Sequence, residues 1–319
     1  MDRKRRYFLC LGGAALLVIL LAGAGLCLGE MPLRQALDSG ILWRLRLPRI
    51  ATALLAGAAL ALGGAQMQAL FRNPLADPHI MGVSGGAGLG AAIAALSAGG
   101  ASAFAGSATL VTAAFAGAFL TGLLIMAAAA RVHSAGTLLL VGVMLGFALS
   151  ALSSVLQYTA SEESLKLFYS WMAGSFTGVP YHGLALMAGA LAAGFVLAFG
   201  SQKALDLVLF GEEYAALSGV RLKSLRLRVM AGAALLTAAV TAFAGPLGFV
   251  GIAAPHLVRR YLGTSAHRVV LPWSLLGGAC LSLAADTLAH IGPTPLPVGS
   301  TLALVGIPLI ILLLWRNRL

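Results

Sequence analysis

The sequence predicts an all-α polytopic membrane protein of about ten transmembrane helices, folded as a single domain over residues 1–319. Three observations predict it. Sixty per cent of the residues are hydrophobic, ten per cent are charged and forty are glycine, whereas a soluble domain carries about 25% charged residues. The apolar residues fall in runs of about 20, the length that crosses a hydrocarbon core of roughly 30 Å. Lysine and arginine gather in the connections that an even number of crossings places on one side. Lipid offers no partner to a free backbone amide, so each run is expected as a helix.

The first span, Tyr7 to Leu28, follows the basic Asp2-Arg-Lys-Arg-Arg6. That start resembles a secretory signal, yet the apolar run of about 22 residues is long for one, and Leu26 before Cys27 is too bulky for a lipoprotein cleavage site. A retained span is expected. Cys10 and Cys27 stand about 25 Å apart by helical rise, beyond disulfide reach. Span two runs from Ile50 to Leu70 and repeats Ala53, Gly57, Ala61, Ala65 and Ala69 every fourth residue; span three, Met81 to Leu96, repeats Gly82, Gly86 and Gly90. Such ridges let backbones approach closely, which makes these two helices candidates for the centre of the bundle. No strand precedes Gly82–Gly90 and no Gly-Lys-Ser or Gly-Lys-Thr occurs, so the run is read as a packing ridge and not a phosphate loop. Spans four to six are Ser107 to Ala130, Thr137 to Tyr158 and Tyr181 to Phe199. A polar stretch within residues 205–225, Leu209 to Lys223, then separates them from span seven, Val229 to Ala244. The short, glycine-bearing span eight is Leu247 to Leu262, followed by Val269 to Ile291 and Leu296 to Leu314.

Ten spans put both termini on one side, together with sixteen of the twenty-one cations; Arg34, Arg44, Arg46, Arg49 and Lys166 remain opposite. The positive-inside rule makes the cation-rich side cytoplasmic. The net charge of +11 follows from that asymmetry and is spread over loops, so nucleic acid is not an expected partner. Only Asp286 lies well inside a span, either as a packing or capping carboxylate or in a substrate or proton role. A self-contained secondary transporter, the alternative from another class, would line its path with several such groups. No nucleophile, base or metal set clusters as in an enzyme. His79, His133, His256 and His267 fall near the cytoplasmic face and His182 and His290 near the other, with no pair at metal-ligand spacing.

Five segments carry a resemblance over the whole chain: Arg46-Leu-Pro-Arg49, Arg72-Asn-Pro-Leu-Ala-Asp-Pro78 with Met81-Gly-Val-Ser-Gly-Gly86, Ala244-Gly-Pro-Leu-Gly-Phe-Val-Gly251, Ala254-Pro-His256 and Leu296-Pro-Val-Gly299. In order and spacing they resemble the FecCD/BtuC family, the permease subunits of type II ABC importers for iron chelates, haem and cobalamin. The resemblance implies a type II importer permease fold in the inner membrane and a homodimer around a central path. It also implies two ATPase subunits, which would bind ATP and magnesium that this chain does not, and an extracytoplasmic substrate-binding protein. Ferric siderophore or another iron complex is the leading cargo expected, with cobalamin and haem as alternatives.

The same resemblance assigns residues. Gly211, Glu212, Glu213, Leu217, Gly219, Arg221 and Lys223 fall on the ATPase-coupling loop. Arg46 and Arg49 match arginines that pair with the binding protein, Arg44 adds a neighbouring cation, and His290 stands where some relatives have a third arginine. Asn73 and Leu75 match one cytoplasmic gate segment; Ser134, Ala135 and Gly136 occupy the second, where only one hydroxyl is kept. Ser150, Ser154, Gln157, Tyr158, Trp171 and Met172 are expected along the translocation path.

Overall fold

The computed structural model describes residues 3–29, 31–96, 107–132, 134–292 and 294–315. His133, Arg316 and Arg318, which entered the reading of histidines and charges, lie outside them. Among the described residues there are fourteen α-helices and no strand: α1 (Arg3–Cys27), α2 (Leu33–Asp38), α3 (Leu47–Leu70), α4 (Val83–Leu96), α5 (Ser107–Arg131), α6 (Ala135–Tyr158), α7 (Glu162–Met172), α8 (Tyr181–Gly200), α9 (Gln202–Val208), α10 (Glu212–Leu217), α11 (Leu222–Ala244), α12 (Val250–Leu262), α13 (His267–Ala289) and α14 (Val298–Trp315).

Among the described residues six helices are long and apolar enough to cross a membrane, and α1, α4 and α14 contribute shorter apolar stretches. With α12, each of the ten expected spans coincides with a helix. The boundaries shift where the sequence pattern is not apolar. Span two starts earlier, because a π-helical turn at Leu42–Arg46 runs directly into α3. Pro48 has no amide hydrogen to offer the preceding turn, and the widened π turn stands just where that donor is missing. Span seven also starts earlier, at Leu222, carrying Lys223, Arg226 and Arg228 into the helix. At 14 and 13 residues, α4 and α12 are each about 20 Å long and do not cross a core of roughly 30 Å alone.

The most apolar stretch of α3 is 83% buried and that of α6 only 17%, so α3 is the centre and α6 an open face. The two glycine ridges serve different neighbours. On α3, a Cβ at Gly57 would strike the carbonyl of Gly278 on α13, one at Gly278 would strike the carbonyl of Gly57, and Gly64 stands likewise against Gly251 of α12. On α4, Gly86 meets Gly117 of α5 in the same way, and α4 packs among α5, α6, α7 and α11. α3 is the most buried of the six long apolar helices, and α4 packs among four others, so the two expected central helices sit in different groups of neighbours.

Two motif-bearing segments are stitched backbone to backbone to the chain that follows α7. The Ser175 amide donates to Ala244 O (2.9 Å), Val298 to Gly174 O (3.2 Å) and Gly299 to Ala173 O (3.0 Å), joining the ends of α7 and α11 to the start of α14. Beyond this junction Phe249 takes φ 69°, a left-handed conformation rare for an aromatic residue, and α12 begins. Between α3 and α12, Gln68 donates to the carbonyls of Gly251 (3.0 Å) and Ile252 (3.2 Å) and accepts from Arg259. Asp206 on α9 accepts from both the amide (2.8 Å) and ring Nδ1 (2.6 Å) of His267, tying α9 to the first turn of α13. Burial would raise the Asp206 carboxyl, but the bonds from His267 more than offset it and hold it below the usual value.

Candidate functional site

A cavity of about 600 Å³ opens beside α6. One face of α6 forms its wall: Val143, Gly146, Phe147, Ser150, Ser153, Ser154 and Gln157 recur at helical spacing. Across from them stand Ser84, Gly85 and Gly88 of α4, Phe168 and Met172 of α7, and His79, Ile80, Gly82 and Pro246 from loops. Four of the six path candidates, Ser150, Ser154, Gln157 and Met172, line this space. The other two do not. Tyr158, at the end of α6, is 92% exposed, and Trp171 turns into the core against which it packs. Each stands next in sequence to a lining residue, Gln157 or Met172, and is turned about 100° from it around the helix.

His79 and Ser84 were missed as lining residues. A signal existed, because Ser84, Gly85 and Gly88 form a stripe at helical spacing offset from the Gly82/Gly86/Gly90 ridge. The Ser84 hydroxyl is buried without a hydrogen-bond partner. The loop before it is pinned by two side chains, Asn73 Oδ1 accepting from the Leu75 amide (2.9 Å) and Asp77 Oδ1 from the His79 amide (2.8 Å). Burial pushes the Asp77 carboxyl upward, opposed by the His79 ring and amide. Among the residues lining the cavity none is Asp, Glu, Lys or Arg.

A second space, about 570 Å³, lies where Leu70–Arg72, Ser134–Gly136 and Phe210–Tyr214 converge. Ser134 caps α6 by accepting from the Thr137 amide (3.0 Å). Gly211 (φ 126°) and Gly219 (φ 86°) open and close α10 with turns that favour glycine. Of the coupling candidates, Glu213, Leu217, Gly219, Arg221 and Lys223 are exposed, and Phe210, Tyr214 and Leu217 add apolar surface at 76%, 53% and 90% exposure. Glu212 differs: its Oε2 accepts from Arg226 at 2.8 Å. Leu75 is exposed, and neither it nor Asn73 lines the space.

At the opposite end the arginine motif turns inward. Arg46 and Arg49 are each only 5% exposed. Arg46 donates to Leu26 O (2.8 Å) and Met31 O, and Arg49 to Gly25 O (2.5 Å). These carbonyls belong to the C-terminal turn of α1 and the chain after it, which leave acceptors unpaired and favour cations. Arg49 Nε also lies 3.3 Å from Oδ2 of the fully buried Asp286, and His290 Nδ1 bonds Asp286 O (2.8 Å). This corrects the expectation of exposed pairing partners at Arg46, Arg49 and His290; Arg44, one helical turn away, is the exposed cation, with Arg34 on α2.

Comparison with known proteins follows the same lines. The sequence profile of the FecCD transport family matches residues 12–316. The chain is 38% identical to the vitamin B12 import system permease protein BtuC of Klebsiella pneumoniae, over 99% of this chain and 95% of that protein, and 37% identical to its counterpart in Salmonella typhimurium, over 99% and 98%. Among solved structures, an inward-facing metal-chelate type ABC transporter superposes with a TM-score of 0.85 at 31% identity, covering 99% of this chain and all of that one. PsaBC from Streptococcus pneumoniae, at TM-score 0.56 and 17% identity over 85% and 90%, shares the fold alone.

Proposed function

From the premise that this chain belongs to the FecCD transport family and is a multi-pass permease of the ABC-importer type, we propose that it carries a cobalamin-like corrinoid, delivered by a binding protein and driven by a separate ATPase. One observation carries the choice of cargo: the cavity beside α6 offers hydroxyls, an amide, aromatic rings and a thioether, with the imidazole of His79 as its one titratable side chain and no lysine or arginine. A polyanionic ferric chelate or the carboxylates of haem would find no lysine or arginine there and a single imidazole, His79, whereas an amide-decorated chelate exchanges hydrogen bonds with Ser150, Ser153, Ser154 and Gln157. The permease relatives named for vitamin B12 support the same cargo. This replaces the iron complex that the sequence reading favoured. Uptake of labelled cyanocobalamin, haem and a ferric siderophore into proteoliposomes with the cognate binding protein and ATPase tests it. Cyanocobalamin should enter with ATP; uptake of only the siderophore or haem would overturn the proposal.

In this reading the α10 end faces the cytoplasm with both termini, and two ATPase subunits use ATP and Mg²⁺ against Glu213, Tyr214 and Leu217. The open face of α6 meets a second copy of the chain, so two such cavities form one central path. Asn73, Leu75 and Ser134 to Gly136 close it at the cytoplasmic end. The binding protein docks at the α2 end, where Arg34 and Arg44 supply exposed positive charge and Arg46, Arg49 and His290 hold the platform. Reversing Arg34 and Arg44 to glutamate should slow association of the binding protein and flatten its salt dependence. Equal association rates for parent and variant from low to high salt would remove these two residues from the contact.

A further inference from the structure

We propose that Arg226 is a positioning residue that ties the coupling helix α10 to the gate segment, so that both move as one body. The inference rests on the reading of α10 as the site of ATPase contact. Arg226 lies in the first turns of α11 and is 4% exposed. Its guanidinium reaches in two directions. One nitrogen donates to Glu212 Oε2 at 2.8 Å, and Glu212 is the first residue of α10. The other donates to the carbonyl of Val132 at 3.1 Å. Val132 follows the last turn of α5 and stands two residues before Ser134, whose hydroxyl caps α6.

Two segments about eighty residues apart in sequence therefore share one planar cation, and both border the same 570 Å³ space. The chemistry suits a rigid link. A guanidinium holds its donors in a fixed fork, and bonds between a cation and a carboxylate are the strong ones. A carbonyl at a helix C-terminus is an unpaired acceptor that attracts positive charge. Among the described residues, the helices that α10 packs on to any extent are α9 and α11, and Arg226 adds the tie to the segment before α6. Neighbouring Glu213 is exposed and open to a partner, whereas Glu212 is committed inward. The two adjacent carboxylates thus divide the work, one facing the ATPase and one passing displacement through Arg226 to the mouth of α6.

The test follows the gate without needing the cargo. In the permease–ATPase complex, with Cys10, Cys27 and Cys280 replaced, Ala135→Cys is labelled by a maleimide in the nucleotide-free and the vanadate-trapped states. The parent should change its labelling rate about tenfold between states, and Arg226→Ala should reduce that to less than about twofold. Copurification of the ATPase and ATP hydrolysis should both persist, a separation that a merely structural role would not give. Arg226→Lys keeps a charge but lacks the fork, so it should fall between them; it decides the matter if the alanine variant does not assemble. Unchanged state dependence in both variants, or a parent label indifferent to nucleotide, overturns the link and leaves the ATPase contact standing. Failure of the ATPase to copurify with the parent overturns both.

Discussion

Replacing Gly57 with valine should leave almost no folded protein in the membrane. The added carbons would occupy the position of the Gly278 carbonyl on α13, and the obstacle is backbone rather than the tip of a mobile side chain. Overpacking a core costs about 1–3 kcal/mol when side chains can yield, so a clash with a fixed helix should exceed the upper figure. Gly278→Val should fail in the same way, because each glycine faces the other's carbonyl. Gly189→Ala is the control, since a Cβ there meets nothing within 4 Å. The measurement is the yield of monodisperse protein after mild detergent extraction, with the denaturant midpoint for whatever survives. Parent-like yield and midpoint for Gly57→Val would show that α3 and α13 do not cross at this point.

Removing one member of the Arg49–Asp286 pair should destabilise the fold by about 3–5 kcal/mol, because the remaining charge is left buried without its nearest opposite charge, although His290 Nδ1 stays 3.5 Å from Asp286 Oδ1. Arg49 also holds the end of α1 through Gly25 O, so Arg49→Ala should cost more than Asp286→Ala. The double variant Arg49→Met with Asp286→Leu should recover part of the loss, since it removes both charges and keeps the volume. Unfolding titrations of the four proteins check the ordering. Fully stable single variants that merely lose affinity for the binding protein would return Arg49 to a docking role and sink the platform reading.

The difference between those roles shows how far a linear pattern reaches. Arg44, Arg46 and Arg49 look alike in sequence, three cations on a cation-poor side. Spacing on a helix separates them, and Arg46 and Arg49 find carbonyls of α1 twenty or more residues earlier in the chain, and Arg49 alone also meets Asp286, which is more than two hundred residues later. Glu212 and Glu213 divide in the same way, one bonded to Arg226 and the other exposed. In the cavity, Ser150 and Ser154 could be chosen by period and Ser84 by its offset from the glycine ridge, while His79 required knowing how the loop before α4 folds back.

What the sequence by itself determined is the part governed by local composition. An apolar run of sufficient length must be helical in lipid, so the helices, their order, the polar insertion between α8 and α11 and the small-residue ridges were all legible, as was the family through its five motifs. What only the tertiary structure decided is which partner each ridge and each charge meets. Gly57 reaches Gly278, and Asp286 reaches Arg49, across separations that no helical period encodes. Such pairings arise from close packing between helices distant in the chain, where the cost of a buried unpaired charge or an intruding methyl group selects a single arrangement.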